Sequence, residues 1–108
     1  MSALMVITTV PDRETGMRIA RALVEERLAA CVNLLASCSS VYRWKDKIET
    51  ADEVPLLIKT RSEIYEEVAS AITRLHPYEL PEIIAVPIQH GSAEYLDWIS
   101  AATMTEIG

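Results

Sequence analysis

The order of hydrophobic patterns along the chain is the feature that most restricts its fold. Short β-branched apolar runs, typical of strands, alternate with segments whose apolar residues recur every three or four positions, as in an amphipathic helix. The predicted elements are a strand over 4–10, a helix over 12–28, strands over 31–44 and 48–60, a helix carrying Ile64, Val68, Ile72 and Leu75, a strand over 83–88, and a last helix after Gly91-Ser92.

This order, β-α-β-β-α-β-α, predicts a split βαβ, ferredoxin-like fold of the α+β class. Its sheet should be antiparallel, with the two main helices on one face. A chain of 108 residues has the length of one ordinary domain. Because no linker, internal repeat or low-complexity segment interrupts it, we expect a single domain over 1–108.

The third and fourth elements form a hairpin that is longer than a domain of this size needs. Its polar turn is Lys45-Asp46-Lys47, and its strands are apolar near the base, as in Leu56-Leu57-Ile58, and polar toward the tip. The chain is 50% hydrophobic, with a mean hydropathy of +0.15. A small domain buries only part of its surface, so this arm predicts a contact with a second copy. An exposed ribbon and a dense core are the alternatives.

Charge and composition exclude several classes of partner. The net charge is −6 and no run of Lys or Arg forms a basic stripe, so nucleic acids and membranes are not expected partners. No apolar stretch approaches 18 residues, and the first ten residues do not resemble a secretion signal. We therefore expect a cytoplasmic protein in which Cys31 and Cys38 are reduced, buried and structural.

Motifs of known chemistry are absent from the sequence, which contains no Gly-rich phosphate loop, HExxH or GxSxG. No nucleophile–base pair is evident, so an enzyme is not expected. The segment 76–82, His-Pro-Tyr-Glu-Leu-Pro-Glu, places an imidazole, a phenol and two carboxylates between two prolines. It is either a preorganised metal or ligand site or a rigid stop for the preceding helix, and the residues alone favour the helix stop.

Several segments resemble, in order, the signatures of the CutA family of divalent-cation (copper) tolerance proteins. They cover nearly the whole chain and are TTVPD at 8–12, LAACVN at 28–33, YRW at 42–44, IKT at 58–60, HPYELPEI at 76–83 and YLDW at 95–98. The resemblance implies a ferredoxin-like homotrimer, with hairpin strands paired between subunits, that is associated with tolerance of copper and other divalent metals.

The resemblance also bears on metal ligands. Some members are assigned a copper site built from a first-strand Cys and a pair of His before Pro-Tyr, whereas this chain has Thr8 and Leu75 at the first two of those positions. Only His76 carries over, so His76, with Glu79 as companion, is the candidate for Cu²⁺ or another divalent cation, and no obligatory cofactor is expected. The family's architectural similarity to PII signalling proteins leaves a regulatory module with a small anionic ligand as the alternative function.

One further pocket is predicted around Lys59, which ends an apolar strand. A buried ammonium needs a carboxylate partner or a bound anion. The resemblance places Lys59, Glu82, Tyr78 and Trp44 toward subunit boundaries, and we expect them to line one pocket per protomer for a small polar anion in the cleft between subunits. A structural Lys59–Glu82 salt bridge without a ligand is the alternative.

Overall fold

The computed structural model describes residues 2–104 and has the predicted α+β architecture. Its elements are β1 (Ala3–Val10), α1 (Arg13–Glu25), β2 (Cys31–Leu34), β3 (Cys38–Trp44), β4 (Lys47–Arg61), a 3₁₀ turn (Ser62–Ile64), α2 (Tyr65–Leu75), β5 (Ile84–Pro87) and α3 (Ala93–Ala102). All the strand pairs are antiparallel, in the order β2-β4-β1-β5, and β3 follows β2 along the same edge of β4. The predicted ferredoxin-like fold is confirmed.

The hydrophobic core lies between α1, α2 and one face of the sheet. Side chains alternate across a strand, so Val6 and Val10 of β1 and Leu56 and Ile58 of β4 point to the same side. They pack in one buried cluster with residues of both helices, among them Ile19, Leu23, Val68 and Ile72. The opposite face, which carries the odd-numbered residues of β1 and β4, is called the open face below. None of the described helices is long and apolar enough to cross a membrane.

Helix α1 begins as predicted and ends earlier than predicted. Asp12 is its N-cap, because its Oδ1 accepts a hydrogen bond from the Thr15 amide at 2.7 Å. This bond holds the pKa of Asp12 below its ordinary value. The helix stops at Glu25 rather than at 28, since Arg27 takes a positive φ of 58° and the Leu28 amide turns back to the Leu23 carbonyl.

The predicted long strand over 31–44 is two strands. The break at 35–37 faces Pro55 of β4, which has no amide hydrogen to donate, and the Pro55 carbonyl still accepts a hydrogen bond from Leu35. Beyond the break, β3 and the outer half of β4 extend as a two-stranded arm, defined here as residues 38–53. The turn at its tip has positive φ at both Lys45 and Asp46, as two-residue hairpins require.

The two cysteines are free, as predicted, but they do not share one environment. Cys31 is half-buried on β2, whereas Cys38 is exposed at the base of the arm. The prediction that both thiols are buried is therefore wrong for Cys38. The cause is the strand break, because β3 is paired only with the part of β4 that leaves the body of the domain.

Candidate functional site

The His-Pro-Tyr segment follows α2 and ties that helix to the end of β1. The His76 side chain is buried, and its Nε2 lies 2.7 Å from the Thr9 carbonyl oxygen. Its Nδ1 accepts the Tyr78 amide hydrogen at 3.1 Å. A ring that accepts at Nδ1 and donates at Nε2 is a neutral imidazole with both nitrogens engaged. These two hydrogen bonds fix the end of α2 to β1, which is called the locking role of His76 below, and they favour the helix stop over the metal site.

Glu79 does not complete a metal site with His76. Its side chain is exposed, and among residues 2–104 no group of three or more His, Cys, Asp or Glu side chains is placed to hold a metal ion. A metal ligand role for His76 would first have to break a buried hydrogen bond. The metal assignment thus stays a prediction that the geometry of one chain does not support.

A buried carboxyl group that the sequence did not predict, Glu53, lies beside His76, Tyr78 and Thr9, and these residues are called the cluster below. Glu53 on β4 is only 7% exposed, and its Oε2 accepts a hydrogen bond from the Thr9 hydroxyl at 3.3 Å. Glu53 also acts on the Tyr78 phenol, and the Tyr78 ring centroid lies 4.7 Å from that of His76, with the two rings tilted by 51°. The sequence carried no signal for this burial, because Glu53 shares its face of β4 with the charged residues Glu49, Lys59 and Arg61.

This environment favours the neutral phenol of Tyr78. Burial, followed by the hydrogen bond to Glu53 and by its negative charge, raises the pKa of Tyr78 from 10.0 to about 12. The cluster can therefore hold a proton on Tyr78 and a hydrogen-bonded carboxylate on Glu53. It has no nucleophile placed beside a base, and its hydrogen bonds join β1, β4 and the segment after α2.

Tyr78 is expected to make stability depend on pH in the alkaline range. Because its folded pKa is raised, the stabilisation is complete below pH 10 and is lost as the pH rises toward 12. Two pKa units correspond to about 2.7 kcal/mol, and partial exposure reduces this figure. Urea unfolding at pH 9 and pH 11 should show the stability difference between wild type and Tyr78→Phe shrinking as pH rises. The Tyr95→Phe control should show a smaller change, and a constant Tyr78 difference would contradict the assignment.

The four residues of the predicted anion pocket do not meet within one chain. Trp44 lies at the tip of the arm opposite Lys47, and Lys45 lies 5.7 Å from its ring centroid. Twelve residues of β4 separate Lys47 from Lys59, which at about 3.3 Å per residue is roughly 40 Å. A pocket that uses both Trp44 and Lys59 would need a second copy and stays a prediction.

Lys59 also does not pair with Glu82. Its ammonium donates a hydrogen bond to the Asn33 side-chain oxygen on the neighbouring strand β2. Glu82 is exposed in the segment before β5, and the described residues include no Lys59–Glu82 ion pair within 4.0 Å. Within one chain, the register of β2 brings Asn33 to Lys59 instead, so a Lys59–Glu82 salt bridge between subunits stays a prediction.

Thr8, at the position of the first-strand Cys noted above, has a buried hydroxyl without a hydrogen-bond partner among the described residues. Thr60 on β4 is equally buried, but its hydroxyl donates to the Leu28 carbonyl at 2.7 Å. We expect Thr8→Val to raise the free energy of unfolding by about 1 kcal/mol, because it removes an unsatisfied polar group. Thr60→Val should lower it by about 1–2 kcal/mol, because Leu28 loses its donor. Urea unfolding of both variants checks this pair, and equal effects would contradict it.

Comparisons with known proteins cover nearly all of the described chain. Residues 4–102 match the family model described as CutA1 divalent ion tolerance protein. The divalent-cation tolerance protein CutA of Thermus thermophilus is 46% identical over 99 residues, which are 92% of this chain and 96% of that protein. Human protein CutA is 44% identical over 88% of this chain, which spans only 53% of the human protein.

Solved structures agree in fold over the same length. The crystal structure of CutA from Xylella fastidiosa superposes with a TM-score of 0.93 at 43% identity, covering 96% of this chain and 100% of that chain. The Archaeoglobus fulgidus structure, described as a periplasmic divalent cation tolerance protein CutA, has a TM-score of 0.92 at 40% identity over 94% of this chain and 99% of its own.

Proposed function

Because the chain belongs to the CutA1 divalent ion tolerance family, we propose that it acts in tolerance of divalent metal ions, copper in particular, as a cytoplasmic homotrimer. The observation that carries this proposal is the family match over residues 4–102. The proposed role is non-enzymatic, since the cluster around Glu53 and Tyr78 offers no nucleophile–base pair.

The arm and the open face support assembly. Val41 and Ile48 on the arm are each 70% exposed, and the outer half of β4 pairs only with β3, which leaves its other edge open in the described chain. Open edges and exposed apolar side chains favour pairing with another chain. The molecule is 50 Å long, so its arm can reach a neighbour. These features support a trimer in which the arm grips an adjacent subunit.

The geometry of His76 constrains how the protein deals with metal. Both ring nitrogens make hydrogen bonds within the chain, so we propose that tolerance does not depend on a metal centre preformed around His76. The net charge of −6 attracts cations in general. Any tight Cu²⁺ site would then be completed only by groups from more than one subunit.

Complementation tests the proposed function. The gene is expressed in a bacterium from which its own family member has been deleted, and growth is measured on increasing copper. Wild type is expected to restore growth, and Glu79→Gln to restore it equally. No restoration, with the protein present and folded, would overturn the proposal. Cell fractionation of the same strain tests the proposed cytoplasmic location. Location varies among similar proteins, because one relative is described as chloroplastic and one solved structure as periplasmic.

Light scattering tests the assembly separately. A homotrimer has three times the 12.0 kDa mass of the chain, and it should persist at low micromolar concentration. Its thermal stability should rise with protein concentration, since association stabilises the folded subunit. A stable monomer would contradict the proposed trimer and leave the metal-tolerance role to be judged by complementation.

A further inference from the structure

We propose that Glu53 and Lys59 form an ion pair between neighbouring copies of this chain, so that the open face of the sheet is complementary in charge to itself. The inference rests on the proposed homotrimer and names two residues that hold it together. Each subunit contributes one carboxylate and one ammonium, so a cyclic trimer contains three such pairs. This contact lies in the body of the sheet and adds to the grip of the arm.

Few charged side chains lie on the open face in the body of the sheet. From residue 53 to the end of β4, those that point to this face are Glu53, Lys59 and Arg61. The residues of β1, β2 and β5 that share the face are uncharged. Arg61 is already engaged, because its guanidinium donates to the hydroxyl and the carbonyl of Thr103 at 3.0 and 3.1 Å. One carboxylate and one ammonium remain.

The carboxylate of Glu53 is buried without a cation. Glu53 is only 7% exposed, and the hydrogen bond that it accepts from the neutral Thr9 hydroxyl is 3.3 Å long. Among residues 2–104, no Lys, Arg or His side chain forms an ion pair with Glu53 within 4.0 Å. Burying a charge is costly unless the charge is paired. Glu53 therefore needs a cation that the described part of one chain does not supply.

Lys59 has the complementary need. Its side chain is half-buried, and its hydrogen-bond acceptor is the neutral amide oxygen of Asn33. In the described chain, no carboxylate forms an ion pair with its ammonium within 4.0 Å. Glu53 of the same chain cannot reach it, since six residues of an extended strand separate the two by about 20 Å. A second copy on the open face brings a second Glu53.

The apolar residues of the open face favour burial against a second copy. Leu57 and Ile7 are half-buried, and Ile84 and Val86 are 52% and 41% exposed. Apolar side chains that remain exposed side by side mark an interaction face. When a second copy covers them, water is removed from the two charges as well, and their attraction strengthens in the lower dielectric. A second copy thus supplies both the apolar surface and the opposite charge that this face needs.

The rival partner for Lys59 is Glu82 of a neighbouring subunit. Glu82 is exposed, so water already solvates its charge. If Lys59 paired with Glu82, the carboxylate of Glu53 would stay buried and uncompensated in every subunit. Because an unpaired buried charge is strongly destabilising, the free energy of the assembly favours Glu53 as the partner.

A double-mutant cycle on trimer dissociation tests the ion pair. Sedimentation equilibrium measures the dissociation constant in the urea concentration at which the wild-type trimer is half dissociated. Glu53→Gln and Lys59→Met should each raise this constant about tenfold or more, because each variant leaves the opposite charge buried alone. The double variant should raise it no further than the larger single effect, since the two residues share one interaction. Fold-changes that multiply in the double variant would overturn the proposal.

The matched cycle combines Lys59→Met with Glu82→Gln. Its fold-changes should multiply, and coupling of Lys59 to Glu82 in place of Glu53 would contradict the assignment. If a variant does not fold, a crystal structure of the wild-type assembly decides, because Lys59 Nζ should lie within about 4 Å of the Glu53 carboxylate of the neighbouring subunit. A different partner there would overturn the ion pair. A wild-type monomer in light scattering would also remove the proposed trimer, whereas a trimer without coupling would remove only the ion pair.

Discussion

Replacing His76 by alanine is expected to lower the free energy of unfolding by about 2–4 kcal/mol. The change removes the donor to the Thr9 carbonyl and the acceptor of the Tyr78 amide. Leaving a buried polar group unpaired costs about 1–3 kcal/mol, and two groups are affected. The contact between the His76 ring and the tilted Tyr78 ring is lost as well. Urea unfolding at pH 8, where the imidazole of the reference state is neutral, measures the effect.

The second histidine provides the control for this variant. His90 is exposed, so His90→Ala should change stability by less than about 0.5 kcal/mol. Under native conditions, Cu²⁺ titration curves of wild type and His76→Ala should coincide, because the imidazole nitrogens already serve hydrogen bonds. Loss of a tight Cu²⁺ site in His76→Ala, with the fold intact, would contradict the locking role and restore His76 as a ligand.

The sequence predicted the elements whose patterns are set by local burial. The β-branched apolar run of β1 and the stripe of Val68 and Ile72 in α2 reflect contact with one core, so the local sequence pattern identified both elements. The two misplaced boundaries have a different origin. The end of α1 depends on a left-handed residue that is not glycine, Arg27, and the break after β2 depends on Pro55 of another strand. Neither is visible in the periodicity of the element it ends.

The candidate site shows the same division between local and long-range information. The need of Lys59 for a partner followed from its place at the end of an apolar run. Its partner could not be predicted, because shifting β2 by two residues along β4 preserves the same alternation while moving Asn33 away from Lys59. Glu53 was missed for a related reason, since the Thr9 hydroxyl that donates to it lies on another strand, more than forty residues earlier in the chain.

Truncation of a buried side chain of β4 is expected to lower the free energy of unfolding more than any other single truncation. Ile58 is fully buried and lies between Val6 of β1 and Val32 of β2. Ile58→Ala removes three carbon atoms from a packed cluster and should cost about 3–4 kcal/mol through lost transfer free energy and the remaining cavity. Urea unfolding with an unchanged slope is the measurement. A cost below about 1.5 kcal/mol would show that the cluster collapses around the smaller side chain.

An isoleucine-to-alanine substitution ten residues earlier on β4 distinguishes the stability of the single chain from the stability of the assembly. Ile48 is 70% exposed on the arm, so within a single chain Ile48→Ala should cost less than about 0.5 kcal/mol. If the arm grips a neighbouring subunit, Ile48 is buried there, and Ile48→Ala should weaken association and steepen the dependence of thermal stability on protein concentration. Ile58→Ala, by contrast, should destabilise the subunit at every concentration. Measuring the melting temperature of both variants over a hundredfold range of concentration therefore distinguishes the core from the subunit contact, and identical concentration profiles for Ile48→Ala and wild type would contradict an arm-mediated trimer.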